Sequence, residues 1–274
     1  MATEADNGYL LEVEDLSKAF KGLLALNGYH LRLRPGEILG IIGPNGAGKT
    51  TVFNLITGTL TPTRGRVRFK GRDITGHSPH YITRQGIART FQNIRLFRSL
   101  SALENVKVGL QMHERAGLGE TILSLPTFVR NERNLTEEAW RLLELFALAD
   151  YAHSPAQSLA FGYQRRLEIA SALATRPELL LLDEPAAGMN PSEKEELMAL
   201  ISDIHKQFGL TIMLIEHDMR VIMGSCDRIQ TLNYGEIIAE GTPGEIQNDA
   251  RVIEAYLGHS VPGVATLRRS TVPA

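Results

Sequence analysis

One stretch constrains this chain more than any other. Gly43-Pro-Asn-Gly-Ala-Gly-Lys49-Thr50 fits the pattern G-x-x-x-x-G-K-[ST]. It follows an uninterrupted apolar run, Ile38 to Ile42, and precedes a helix-compatible run, Thr50 to Thr57. That strand–loop–helix setting gives the pattern a mechanism. Glycines 43, 46 and 48 let the backbone curl so that successive N–H groups point inward at phosphate oxygens. The following helix adds its positive N-terminal end. Lys49 is then placed to reach the β- and γ-phosphates of a nucleotide, and the Thr50 hydroxyl to ligate Mg²⁺. A glycine turn that binds nothing is the alternative. A chance match in a chain this size is on the order of one in a hundred before any flanking strand and helix are required.

A second half of the site comes far later in the chain. Leu179 to Leu182 reads as a buried strand, and it ends in two carboxylates, Asp183 and Glu184. At the C-terminal end of a parallel strand, Asp183 would sit beside the phosphate loop and hold Mg²⁺ directly or through water. Glu184, one residue on, would be displaced toward the γ-phosphate, where it could polarise a water. An Asp-Glu pair after a strand can also be a helix start of no catalytic meaning; Lys49 and Thr50 in the same chain argue against that. To this point the residues describe Mg-dependent nucleoside triphosphate hydrolysis or phosphoryl transfer.

The remaining pattern predicts an α/β architecture. Ile38–Ile42, Leu179–Leu182 and Thr211–Ile215 are short, wholly apolar runs, as in a parallel sheet covered on both faces. Arg66 to Lys70 alternates and ends at Gly71, which reads as a half-exposed antiparallel strand. Ile229 to Ala239, broken at Asn233-Tyr234-Gly235, reads as a late hairpin. Between about Leu100 and Ala174 the pattern turns helical. Ser101 to Glu104 forms a capping box, Thr136 opens a run through Trp140, Leu143 and Phe146, and Arg165 to Ala174 reads as a further helix. Met112 to Asn134 is polar and contains glycine, with a small apolar cluster at Ile122, Leu123, Leu125 and Phe128, and reads as a surface excursion with one short packed helix. Thr242 to Glu245 starts a C-terminal helix, and the tail after Gly258 reads as loose.

Composition excludes whole classes. The 29 Lys and Arg against 31 Asp and Glu leave a net charge of −2, without the basic excess of a nucleic-acid binder. A single cysteine, Cys226, allows no internal disulfide and reads as packing. Met1 to Gly8 lacks the basic and apolar regions of a signal peptide, and no run of 18 apolar residues occurs. The expectation is a cytosolic chain, or one that sits on a membrane only by holding another chain.

Three further stretches carry a family resemblance over nearly the whole length. Ser158-Leu159-Ala160-Phe161-Gly162-Tyr163-Gln164-Arg165-Arg166 stands where the nucleotide-binding subunits of ABC transporters have their L-S-G-G-Q signature. Thr90-Phe91-Gln92 resembles their glutamine loop, and Ile215-Glu216-His217-Asp218 their switch histidine. The signature departs from the consensus, with alanine for serine at Ala160, phenylalanine for glycine at Phe161 and tyrosine for glutamine at Tyr163. Leu159 and Gly162 keep it. The variant L-A-F-G-x-Q-R-R-L-E-I-A is similar to the ATPases of branched-chain (hydrophobic) amino acid importers. So are Asp183 to Asn190, Thr90 to Phe97, the 112–134 excursion and Val252 to Gly258.

The resemblance implies a P-loop (RecA-like) ABC ATPase core with an antiparallel β flank and an inserted α-helical subdomain. Its boundaries would be 8–94 and 175–258 for the core, 95–174 for the helices and 259–274 for a tail. It implies ATP and Mg²⁺ as ligands. ATP would be held by Gly43, Pro44, Asn45, Gly46, Ala47, Gly48, Lys49, Thr50 and Thr51, with Phe20 against the adenine; an ordinary core phenylalanine suits Phe20 equally. Mg²⁺ would be held by Thr50, Gln92 and Asp183. Glu184 would be general base, His217 would contact the γ-phosphate and Gln92 would report it. Leu159 to Tyr163 would face the nucleotide of a second ATPase subunit in a two-chain sandwich, and in this importer family the two chains are usually different proteins. Partners would be two transmembrane permease subunits and, indirectly, an extracytoplasmic solute-binding protein, with no nucleic acid. The location would be peripheral, on the cytoplasmic face of the cell membrane. Urea or short-chain amide uptake, a soluble non-transport ABC ATPase and a small-molecule kinase are the alternatives.

Overall fold

The computed structural model describes residues 8–113 and 126–257. The chain opens on a long antiparallel hairpin, β1 (Leu11–Phe20) and β2 (Leu23–Leu33), then enters β3 (Ile38–Ile42), the phosphate loop and α1 (Lys49–Ile56). β4 (Arg64–Phe69) and β5 (Arg72–Asp73) return to β1, giving a four-stranded antiparallel sheet in the order β2-β1-β4-β5. After α2 (Pro79–Arg84) and β6 (Ile87–Arg89) the described residues hold the helices α3 (Ala102–Leu110), α4 (Pro126–Leu145) and α5 (Phe161–Leu173). The chain then alternates: β7 (Leu179–Asp183), α6 (Pro191–Phe208), β8 (Thr211–Ile215), α7 (Met219–Ser225) and β9 (Arg228–Asn233). It ends on β10 (Glu236–Gly241), α8 (Pro243–Asn248) and α9 (Ala250–Leu257).

The expected parallel sheet is there, six-stranded in the order β10-β9-β3-β8-β7-β6, with β10 alone turned antiparallel. A strand's pleat sends successive side chains to opposite faces, and the apolar runs divide accordingly. Ile38, Ile42, Leu180, Leu182, Ile212 and Leu214 join one core, which also takes in the buried faces of α3, α4 and α5. Leu39, Ile41, Leu179, Leu181, Met213 and Ile215 join a second core with α1 and the antiparallel sheet. Burial on both faces is why these runs show no alternation.

Local signals held where they were chemical. Ser101 caps α3, its hydroxyl accepting the Glu104 N–H at 3.2 Å while the Glu104 carboxylate accepts the Ser101 N–H at 2.7 Å. Thr242 and Glu245 start α8 in the same manner. Two helix starts differ from the sequence reading. α4 begins at Pro126, so Thr136 lies inside a 20-residue helix, its hydroxyl bonded back to the Glu132 carbonyl at 2.8 Å. α5 begins at Phe161 rather than Arg165, because Ala160 takes the extended N-cap conformation. Residues 114–125 of the expected excursion, with Ile122, Leu123 and Leu125, lie outside the described residues, as does the 259–274 tail.

Candidate nucleotide site

β3 delivers the chain, at its C-terminal end, into the Gly43–Thr50 loop, the position where open α/β sheets bind ligands. Two glycines there are obligatory. At Gly43 φ is +146°, and a Cβ would stand 2.1 Å from the Leu232 carbonyl oxygen of β9. At Gly48, the N-cap of α1, φ is +105° and a Cβ would stand 2.9 Å from the Ala25 oxygen. Lys49 Nζ donates to the carbonyls of Gly43 at 2.7 Å and Pro44 at 3.0 Å. These occupy two of its three donors and leave one for a phosphate oxygen. Burial pushes the Lys49 pKa down, and the charges of Glu184 and Asp183 pull it back up.

A cavity of about 660 Å³ opens over this loop. It is lined by Asn45 through Thr51 together with Ala25, Gln92, Glu184 and His217. Fold and packing thus bring together residues scattered from Ala25 to His217 in the sequence. Glu184 is the hub. Gln92 Nε2 donates to its Oε2 at 3.0 Å, and His217 Nε2 lies 2.7 Å from its Oε1. Accepting from the imidazole requires the His217 proton on Nε2 when Glu184 is ionised. The Glu184 N–H continues the sheet, donating to the Ile215 carbonyl at 2.9 Å. Its φ is +50°, a conformation uncommon for a residue with a side chain and held here by the surrounding bonds.

Asp183, the last residue of β7 and next to Glu184, is 1% exposed. Its Oδ2 accepts from Arg89 Nη2 at 2.8 Å. Arg89 Nη1 reaches Asn54 Oδ1 of α1 at 2.7 Å, and its guanidinium stands 4.9 Å from the Phe91 ring centre. Burial raises the Asp183 pKa, and the bond from Arg89 opposes this. Among the described residues, Asp183 Oδ1 is buried with no hydrogen-bond partner. An orphaned carboxylate oxygen one residue before Glu184, on a side chain whose charge acts on Lys49, suits a small hard cation such as Mg²⁺, which takes oxygen ligands. Among the described residues no cluster of three His, Cys, Asp or Glu could hold a metal unaided. A cation here would therefore share phosphate oxygens.

Arg89 escaped the sequence reading. In a single sequence a basic residue three places before Gln92 looks like any surface cation; its apolar neighbours Ile87 and Ala88 were the one hint. Arg165 and Glu168 were missed likewise. Arg165 is fully buried, its Nη1 donating to the Phe91 carbonyl at 2.7 Å and its Nη2 to the Gln92 carbonyl at 2.9 Å. Glu168 Oε1 accepts the N–H groups of Phe91 and Arg95. α5 therefore grips the backbone of the segment that carries Gln92.

The signature residues do not enter this cavity. Leu159 is buried, Phe161 is 49% exposed, and Tyr163 packs against Tyr151 at 4.8 Å between ring centres. Ala160 supplies no side-chain cap, so the first N–H groups of α5 have no side-chain acceptor from it. Phe161 and Gln164 line a separate cavity of about 430 Å³ with Asn93, Ile94, Leu96 and Arg98. Phe20 ends β1 and is 42% exposed, so it is no core phenylalanine; it does not line the cavity over the phosphate loop. Asn190, in the stretch after Glu184, caps α6, its Oδ1 accepting the Glu193 N–H at 3.0 Å.

Comparison with known proteins agrees with this geometry. Residues 26–187 match the family described as ABC transporter, and residues 236–262 match that described as branched-chain amino acid ATP-binding cassette transporter. The high-affinity branched-chain amino acid transport ATP-binding protein BraF of Pseudomonas aeruginosa is 45% identical over 92% of this chain and 98% of its own length. A nucleotide-free ATP-binding cassette from an ABC transporter superposes with a TM-score of 0.79 at 31% identity, covering 91% of this chain and 99% of that one. A dimeric ATP-binding cassette in a post-hydrolysis state, bound to ADP and Pi, superposes with a TM-score of 0.73 at 27% identity, covering 85% and 98%.

Proposed function

The chain belongs to the ABC transporter ATP-binding proteins, and on that premise we propose that its ATP hydrolysis drives import of branched-chain amino acids through a membrane complex. The observation that carries the catalytic half is Glu184 held between Gln92 and His217 over the Lys49 loop. The solute class rests on the likeness to BraF and on the match over 236–262.

The loop from Gly43 to Thr51 binds the phosphates, with Lys49 offering its free donor to the β- and γ-oxygens. Glu184 orients the attacking water and accepts its proton, while His217 and Gln92 hold the carboxylate in register and meet the γ-phosphate. Positioning and charge stabilisation supply most of the acceleration in phosphoryl transfer. Mg²⁺, held by Asp183 Oδ1, Thr50 and Gln92, would neutralise charge on the phosphates when bound. Phe20 offers an exposed ring to the adenine.

Leu159 to Tyr163 lie apart from the chain's own cavity, which suits a role toward the nucleotide of a second ATPase subunit. The dimeric cassette among the structural relatives supports that arrangement. Residues 8–94 and 175–258 act as the ATPase core and 95–174 as a helical subdomain. Two permease subunits would dock on the segment after Gln92, where Phe97 is 58% exposed, and an extracytoplasmic binding protein would deliver solute. No helix among the described residues is long and apolar enough to cross a membrane; attachment to the permeases would hold the chain at the cytoplasmic face.

Affinity purification from membranes tests the whole. The proposal expects integral membrane proteins to co-purify, and the assembled complex in vesicles to accumulate leucine, isoleucine or valine with ATP. Uptake of urea or short amides in their place, or purification without membrane proteins, overturns it.

A further inference from the structure

α9, far from the phosphate loop in sequence, touches its first residue. The Gly43 N–H donates to the Tyr256 hydroxyl at 2.9 Å across 213 positions. The carbonyl of the same glycine accepts from Lys49 Nζ at 2.7 Å. We propose that Tyr256 is a positioning residue for nucleotide binding, its hydroxyl fixing the backbone of Gly43 and, through it, the lysine that meets the phosphates. The inference rests on the phosphate-loop reading given above.

The need for an outside anchor follows from where the sheet stops. β3 pairs with β8 as far as Ile41 and with β9 as far as Ile42, so Gly43 lies just past the ladder. Glycine has more backbone freedom than any other residue, and the Leu232 carbonyl forbids a side chain that would restrict it. An unpaired N–H here would be free to turn, and turning it moves the adjoining carbonyl that holds Lys49. The phenol supplies the missing partner without adding bulk to the loop.

The helix that carries the anchor is seated on the core, although the Tyr256 ring itself stays 39% exposed. Val252 of α9 is 3% exposed and joins the same core as Ile246 of α8. Asp249 caps α9, accepting the Arg251 N–H at 2.8 Å, and the Arg251 guanidinium holds its carboxyl down at about 2. Burial pushes the Tyr256 hydroxyl above its ordinary pKa, so it stays a neutral phenol at physiological pH. This contact also gives a physical role to the described part of the C-terminal helix, Ala250–Leu257, which the catalytic reading leaves unused.

Tyr256→Phe removes the hydroxyl and keeps the ring. One hydrogen bond left unmade corresponds to a weakening of roughly three- to ten-fold. Because Gly43 sits at the base of the loop, the Kd for ATP and for ADP should rise by the same factor. KM for ATP should rise with them, and kcat should move less. Titration with a fluorescent ATP analogue, competed by ADP, reads this directly, with Lys49→Ala as the companion variant. Unchanged affinity in Tyr256→Phe while Lys49→Ala binds weakly overturns the role of Tyr256 alone. Unchanged affinity in Lys49→Ala overturns the phosphate-loop reading beneath it. A lowered melting temperature with unaltered Kd would make the bond merely structural and also overturns the inference. Should the variant not fold, hydrogen exchange in the wild-type protein decides: the Gly43 amide is expected to be protected, and fast exchange there rejects the contact.

Discussion

His217 Nε2 lies 2.7 Å from Glu184 Oε1, while the other carboxylate oxygen accepts from Gln92 at 3.0 Å. Both oxygens of Glu184 are therefore engaged by side chains from two other elements, one following β6 and one following β8. Each carboxylate oxygen keeps a second lone pair, so Glu184 can still accept a hydrogen bond from a water while both donors stay in place. In the mechanism proposed above, the γ-phosphate would meet His217 and Gln92 beside that water.

Glu184→Gln keeps the shape and removes the basicity. Loss of a general base typically lowers a rate by 10²–10⁴-fold, so phosphate release in a single turnover should fall by about that much. ATP affinity should be retained, and closed dimer should accumulate with ATP. Hydrolysis at the wild-type rate would remove Glu184 from the role of base.

Arg89 and Asp183 form an ion pair in which both side chains are almost fully buried, at 5% and 1% exposure. Breaking such a pair strands an uncompensated charge and costs about 3–5 kcal/mol. Arg89→Met should lower stability by about that amount in urea unfolding. Adding Asp183→Asn should then recover part of the loss. Strictly additive losses in the double variant would show that the two groups do not stabilise one another.

Glu216 gives a pH prediction. It is 4% exposed and accepts the N–H groups of Ala186 at 2.8 Å and His217 at 3.3 Å. Burial is the largest influence and raises its pKa above the ordinary 4.5. The folded chain then keeps this proton to higher pH than the unfolded chain does. The contribution of Glu216 to stability must fall as pH rises from about 4.5 through the raised value, then level off. Glu216→Gln abolishes that slope. Unfolding free energies of wild type and variant across pH should diverge in this window; a difference independent of pH would refute the assignment.

Cys226, the sole cysteine, is 7% exposed and its thiol is pushed up to about 12. At pH 8 only about one molecule in ten thousand would carry the reactive thiolate. Labelling by a thiol reagent should be very slow in the folded protein and should accelerate with urea in step with unfolding. Rapid labelling without denaturant would contradict the burial of this side chain.

What could be read in advance was local. β3, β7 and β8 show as apolar runs because both their faces are covered, whereas the three-residue β6 is too short to show, and the caps at Ser101 and Thr242 show because a cap is chemistry within four residues. The opening hairpin was illegible for a definite reason. Register shifts between Val13 and Leu16 break the alternation, Asp15 there having a φ of +49°, so Leu11, Val13 and Leu16 are all buried without keeping a period of two. α5 starts before its polar and apolar pattern suggests because Ala160 offers no side-chain cap to mark the turn.

The sequence by itself determined the kind of chemistry: a glycine loop ending in Lys49 and Thr50, a buried strand ending in Asp183 and Glu184, and a glutamine and a histidine at family spacing. Tertiary structure alone decided what each group faces. That Arg89 rather than solvent meets Asp183, that Arg165 grips the backbone at Gln92, and that Tyr256 holds Gly43 are contacts made across 73 to 213 positions. Such pairings depend on how the two cores pack against the sheet, and no pattern within a few residues of sequence can encode them.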